Sequence, residues 1–282
     1  MSGKSRVLLV GCGGVGTVAA LNLERGGRAE VSGVLRSNYN LVKETGYTIH
    51  SCDHGELKGW RPTEESSDRP FDYIVCCTKN IPDTSPTLPE IISPAVSAGH
   101  TTIVLMQNGL HIERPFIERF PENIILSGVS RVDAHEVSKG VIEQKQRDLL
   151  HIGAFQHPSL SRDTLEKKAK QFIAIYSASG KTTCLYKPEV EYERWTKLVY
   201  NASFNPVCAL TGLNTGELQL NENTNTHTLA GLVIPAMKEV VEIARAAGHI
   251  LPEDIVDDAI RSNPVEQMIT PSMQVDVQKV GS

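Results

Sequence analysis

RVLLVGCGGVG (Arg6 to Gly16) is an apolar run that stops at a cluster of glycines. Behind it, Thr17–Arg25 carries Val18, Leu21 and Leu23 at helical spacing, so the stretch reads as strand, tight turn and helix. The spacing of Gly11, Gly13 and Gly16 matches GxGxxG. The first glycine allows the turn, the second lets a pyrophosphate approach the backbone, and the third lets helix and strand pack closely. The helix start adds unpaired N–H groups and a positive dipole end. Gly11, Cys12, Gly13, Gly14, Val15 and Gly16 are therefore expected to cradle a dinucleotide. Cys12 fills an x position; a helix N-terminus would also lower its thiol pKa and make it reactive.

Working outward, Glu30–Leu35, Phe71–Cys77 (FDYIVCC), Thr101–Gln107 (TTIVLMQ) and Ile124–Ser127 read as further strands. Continuous apolar runs suit parallel strands covered on both faces, with helices between them, one over Pro86–Ala98. Val141–Gln146 and Leu149–Ile152 read as an antiparallel hairpin around Arg147-Asp148. The pattern predicts an α/β doubly wound domain, whose ligands bind beyond the carboxyl ends of its strands. Gly11, Arg36, Lys79 and Asn108 all follow strand ends and would share that rim. The second strand ends in Leu35-Arg36 where NAD-preferring sites commonly place a carboxylate. An arginine there favours a 2′-phosphate, and hence NADP(H).

The chain has 282 residues, 40% hydrophobic and 22% charged, which suits a soluble globular protein of one large or two ordinary domains. A formal net charge of -5 and no basic stripe argue against nucleic acid as a partner. MSGKSRVLLVG is too short an apolar run for a membrane span or leader, and it misses the myristoylation pattern. Six cysteines without a CxxC pair point to a reducing, cytosolic compartment. Nine histidines without HxH or HExxH spacing give no metal site.

After Arg162–Ser177, a helix, and a short strand through Thr182–Tyr186, the remaining signal is helical: Val190–Leu210, a loop at Asn221–Thr226, then Leu229–Ala247 with a stop at Gly248. A domain boundary falls near residues 180–190, giving domains of 1–187 and 188–282. In WTKLVYNASFNP (Trp195 to Pro206), Lys197, Asn201 and Asn205 are four residues apart and would line one helical face. Solvated polar faces are common on helices. Here Leu198, Ala202 and Pro206 follow at the adjacent position, so the stripe borders a packed surface. Two amides and an ammonium suit a hydroxy or keto acid.

GCGGVG, the Leu35-Arg36 strand end, Cys77-Thr78-Lys79, Gln107-Asn108-Gly109, WTKLVYNASFNP and Ser272-Met273-Gln274-Val275-Asp276 occur in the order found in ketopantoate reductases, and nearly the whole chain resembles that family. The resemblance implies an N-terminal Rossmann domain and an all-helical C-terminal domain, with NADPH and a small 2-keto acid in the cleft between them. It makes Lys197 the general acid in reduction of ketopantoate to pantoate. Arg36 would hold the 2′-phosphate, with Lys79 and Ala134 beside the cofactor. Asn108 would contact cofactor and substrate, while Asn201, Asn205, Ser272 and Asp276 would face the substrate; Glu239 is a weaker candidate. Two departures stand out. Thr215 replaces an expected asparagine, next to Asn214, and family members continue past Ser282 into an active-site glutamate and closing helices. Without those helices the C-terminal domain would expose apolar surface, favouring instability or a compensating homodimer contact. Thr215 motivates a second reading, reduction of another small 2-keto acid. A third is a catalytically weak NADPH-binding sensor.

Overall fold

The computed structural model describes residues 3–62, 69–220 and 227–280. The chain divides into two compact units, Met1–Val190 and Glu191–Ser282.

The first unit alternates strand and helix: β1 (Ser5–Val10), α1 (Gly14–Arg25), β2 (Ala29–Val34), α2 (Tyr39–Thr45), β3 (Tyr47–Ser51), β4 (Gly55–Trp60), β5 (Tyr73–Cys76), α3 (Leu88–Ile92), β6 (Thr102–Leu105), α4 (Arg114–Arg119), β7 (Ile125–Ser130), β8 (Ala134–Ser138), β9 (Val141–Gln144), β10 (Leu149–Ala154), α5 (Arg162–Tyr176) and β11 (Thr183–Tyr186). The main sheet runs β11-β10-β7-β6-β5-β1-β2. Its strands from β7 to β2 are parallel; β10 joins β7 antiparallel and carries β11 parallel to itself. This is a Rossmann-type sheet, as the apolar runs predict.

Both faces of the sheet are covered, which is why β1, β5 and β6 lack polar alternation. Val7, Leu9, Val31, Val75 and Val104 pack in one core with Leu23 of α1 and Phe172 and Tyr176 of α5. Val10, Ile74, Cys76, Ile103 and Leu105 point the other way, into a second core with Ile92 and Phe116. Alternate residues of one strand thus feed two cores. Each such side chain contributes about 1.5–3 kcal/mol by leaving water.

Two expectations need correcting here. The helix anticipated over Pro86–Ala98 is α3 followed by a 3-10 turn, Ser93–Ala95, because Pro94 has no N–H to continue an α-helical ladder. The hairpin around Arg147-Asp148 does not form. Instead β9 pairs with β3 and β8 in a separate four-stranded sheet, β4-β3-β9-β8, while β10 enters the main sheet. The residue expected at the hairpin tip, Asp148, is 1% exposed. Its Oδ2 accepts hydrogen bonds from Asn22 Nδ2 (2.7 Å), the Tyr176 hydroxyl (2.8 Å) and the Thr182 hydroxyl (2.8 Å). Its N–H donates to Asp53 Oδ2 at 2.9 Å, which also accepts from Gln144 of β9 at 2.6 Å. The Asp148 carboxylate therefore ties α1, α5 and the start of β11 together, and the residue's N–H, through Asp53, joins them to the small sheet. Burial pushes its pKa up, against the lowering effect of its three donors.

The second unit is helical: α6 (Val190–Asn201, entering from the last residue of the first unit), α7 (Phe204–Thr211), α8 (Thr215–Leu220), α9 (Ile234–Ala246), α10 (Ile255–Arg261) and α11 (Ser272–Val280). The continuous helix expected over Val190–Leu210 is broken. Pro206 cannot donate to the carbonyl four residues back, and the Ser203 hydroxyl donates to Val199 O at 2.6 Å. The helix restarts at Phe204, which puts Pro206 in the first turn, where no intrahelical donor is needed. Pro235 has a parallel effect: a π-helical turn, Leu229–Val233, precedes α9. Gly248, at φ 91°, ends that helix region as expected. The expected loop at 221–226 lies outside the described residues.

Replacing Asp148 with alanine strands two buried donors, on Asn22 and Tyr176, at about 1–3 kcal/mol each, partly offset by removing a buried charge; the Thr182 hydroxyl keeps the Asp148 carbonyl as acceptor. Urea denaturation of Asp148→Ala should show a loss of about 2–4 kcal/mol; an unchanged midpoint would remove the hub from the account.

Candidate functional site

In the first unit the pairing register sets Val10 level with Val34 and Cys76, and Cys76 level with Leu105. Four strands therefore end in one row, and the loops after them leave from one edge. Those loops carry the glycine turn, Arg36, Lys79 and Asn108, so the structure brings these predicted residues to a common rim; Arg36, Lys79 and Asn108 are exposed. The loops interlock. Gly11, at φ 100°, presses against the Cys77–Thr78 backbone, and the Thr78 hydroxyl accepts a hydrogen bond from Gln107 Nε2 at 3.0 Å. Ala134, 5% exposed, closes the other side: a methyl on Gly14 would lie 2.2 Å from its carbonyl oxygen.

The turn fits an anion. A methyl on Gly16 would lie 1.9 Å from Gly11 O, so the glycine permits close helix–strand packing. Gly13 differs: its backbone is extended (φ -82°, ψ -161°), it is exposed, and no atom lies within 4 Å of where a Cβ would sit. It faces the open side of the cradle, beside Gly14, where α1 begins with no side-chain cap and no acidic residue in its first turn. No acidic residue of its own first turn therefore compensates the positive end of the helix dipole. Val15, half-buried, packs against the sheet core.

Cys12 fills space, as expected of an x position, and is not a reactive thiol. Burial, with Glu136 adding to it, pushes its thiol up to about 12 rather than down. The thiol is 6% exposed and packs against Gly33 of β2, so desolvation outweighs the helix dipole and the sulfur is a space-filler.

In the second unit, Lys197 and Asn201 lie one turn apart on α6, whereas Asn205 belongs to α7. The break does not separate the two amides: Asn205 Nδ2 donates to Asn201 Oδ1 at 3.3 Å. Asn205 is 5% exposed, and its Oδ1 is buried with no hydrogen-bond partner among the described residues. Lys197 and Asn201 are half-buried. Ser272 and Asp276, also half-buried, sit one turn apart on α11, which packs on α7; Gln274 between them donates to Gly212 O at 2.7 Å, fastening the C-terminus of α7. Asn214 does not stand in for the residue that Thr215 replaces. Its Oδ1 accepts from Glu217 N–H (2.9 Å) and its own N–H donates to Glu217 Oε2 (2.8 Å), a cap at the start of α8. Thr215 itself is fully buried, and its hydroxyl has no partner among the described residues. Glu239 is exposed on α9.

The small sheet was not anticipated, and with it Tyr47 and Asn38 beside the glycine turn. The signal was present: YTIHS alternates, Asp53-His54-Gly55 follows as a turn, and GELKGW returns. Among the described residues no three His, Cys, Asp or Glu side chains gather as a metal site, and no helix is long and apolar enough to cross a membrane.

The family model "Ketopantoate reductase PanE/ApbA" matches residues 7–157, and "Ketopantoate reductase PanE/ApbA C terminal" matches residues 189–280. An uncharacterized protein of Saccharomyces cerevisiae is 34% identical over 300 residues, covering 98% of this chain and 83% of its own. A 2-dehydropantoate 2-reductase of Nostoc is 24% identical over 97% of this chain and 83% of its own. The crystal structure of 2-dehydropantoate 2-reductase from Methylococcus capsulatus superposes with a TM-score of 0.77 at 28% identity, covering 98% of this chain and 84% of that one. Matched along both units, with the glycine cradle and the lysine–asparagine helix in place, the chain belongs to the ketopantoate reductase family of oxidoreductases.

Proposed function

We propose that this chain reduces 2-dehydropantoate to pantoate with NADPH, a step toward pantothenate and coenzyme A. The observation that carries the reading is the Asn201–Asn205 pair. A buried amide oxygen without a protein donor is costly, by about 1–3 kcal/mol, and asks for a ligand that supplies one. The hydroxyl of 2-dehydropantoate is such a donor. Lys197, one turn away, is the general acid: it delivers a proton to the carbonyl oxygen as negative charge grows there. Ser272 and Asp276 face the substrate's polar groups, and Asn108 serves cofactor and substrate. NADPH supplies the hydride to the carbonyl carbon. Family and fold support a nicotinamide dinucleotide; the preference for the 2′-phosphate rests on Arg36, with Lys79 adding positive charge and Ala134 packing beside the cofactor. All six cysteines are free, which fits a reducing, cytosolic compartment.

Thr215 favours a second reading, reduction of another small 2-keto acid, because Asn214 is committed to its cap and a buried hydroxyl replaces an amide. Steady-state rates over a panel of 2-keto acids with NADPH separate the two. The highest kcat/KM should fall on 2-dehydropantoate; no turnover of it beside clear turnover of another acid transfers the assignment. Tight NADPH binding with negligible oxidation on every acid would mark a sensor instead.

Lys197→Ala should lower kcat by about 10²–10⁴-fold, the usual worth of a general acid; undiminished turnover would exclude it from proton transfer. Arg36→Asp removes a charge-assisted phosphate contact and should shift preference toward NADH by about ten- to a hundredfold. An unaltered NADPH:NADH ratio of kcat/KM would place 2′-phosphate recognition elsewhere.

A further inference from the structure

The carbonyl of Cys12, in the middle of the glycine turn, accepts a hydrogen bond from the Tyr47 hydroxyl at 2.8 Å and one from the Thr17 hydroxyl at 3.3 Å. Tyr47 belongs to β3 of the small sheet and is 0% exposed. A trans peptide is planar, and its C=O and N–H point in opposite directions. Holding the Cys12 carbonyl toward Tyr47 therefore aims the Gly13 N–H the other way, toward the open side of the cradle. The same hydroxyl oxygen accepts from Asn38 Nδ2 at 3.0 Å. Asn38, 8% exposed, lies two residues after Arg36, and its amide also reaches Glu136 Oε1 at 3.2 Å. Glu136 in turn accepts from Gly140 N–H at 2.9 Å, which fixes it within the β8–β9 connection. Asn38 and Tyr47 bracket α2, so the loop carrying Arg36 is closed onto the glycine turn by one buried contact.

We propose that Tyr47 is a positioning residue of the cofactor site: its hydroxyl orients the Gly13 N–H toward the pyrophosphate and, through Asn38, sets the loop from which Arg36 reads the 2′-phosphate. The claim about Gly13 needs only a dinucleotide; the claim about Asn38 rests on the NADPH reading above. Tyr47 touches neither phosphate and acts through the backbone of Cys12 and the side chain of Asn38. Its ring packs on Trp60 at 6.0 Å between centroids, so a phenylalanine keeps the packing and loses only the hydroxyl.

Calorimetric titration of NADPH and NADH into the full chain and into Tyr47→Phe and Asn38→Ala tests this, with melting curves run in parallel. Tyr47→Phe should bind NADH about tenfold more weakly, the worth of one hydrogen bond, and NADPH more weakly still, because the Asn38 contact is lost with the hydroxyl. Asn38→Ala, which leaves the hydroxyl on Cys12, should weaken NADPH by a similar factor and NADH by less than about twofold. A merely structural role would lower the melting temperature without that split. Both nucleotides bound by Tyr47→Phe within twofold of the parent would overturn the proposal. If Tyr47→Phe does not fold, Asn38→Ala decides: an equal loss for both nucleotides, or none, overturns it. If the parent chain binds NADH as tightly as NADPH, the Arg36 reading and the Asn38 arm fall, while a loss in Tyr47→Phe still supports the orientation of Gly13. A parent chain that binds neither nucleotide sinks both readings.

Discussion

Gly11 holds φ 100° at the end of β1, with its α-carbon so close to the next strand's backbone that an added methyl would lie 2.7 Å from the Thr78 nitrogen. An L-residue with a side chain disfavours that φ and has no room there, so only glycine lets the chain reverse out of the sheet at this point. Because it does, α1 starts directly over the strand ends, and the Gly16 contact with Gly11 O keeps it pressed down. The level register of β2, β1, β5 and β6 then brings the remaining loops to the same edge. The rim is a consequence of strand register and one left-handed turn.

The doubly wound sheet was legible because burial on both faces demands continuous apolar runs, and VLLV, YIVC and TIVL are runs of strand length. The small sheet was obscured for a matching reason. β4 is largely exposed and polar, and β3 finds β9 some ninety residues away, a pairing that no local pattern records. The false hairpin had ordinary turn chemistry at Arg147-Asp148; what prevailed was long-range demand for a buried carboxylate by Asn22, Tyr176 and Thr182. The stripe was read as one helix; the Asn201–Asn205 contact survives, but across two helices. Proline in a first turn costs nothing, so Pro206 announced a helix start that looked like a helix end.

The proposed substrate side carries less internal support than the proposed cofactor side. Cys12, Tyr47, Asn38 and Glu136 form a chain of hydrogen bonds behind the cradle. Around Asn205 and Thr215, by contrast, buried polar atoms lack protein partners among the described residues. A site of the proposed kind has reason to leave such groups open, since pairing them internally would forfeit the discrimination that a hydrogen bond to substrate provides. Thr215 is where specificity within the family would diverge.

The position of bound nucleotide is the most direct test of the cradle. A crystal structure of the chain soaked with NADPH should show the pyrophosphate within hydrogen-bonding distance of the Gly13 amide and the 2′-phosphate against Arg36. Nucleotide density away from the Gly11–Gly16 turn, or a Gly13 amide turned back toward Tyr47, would contradict it.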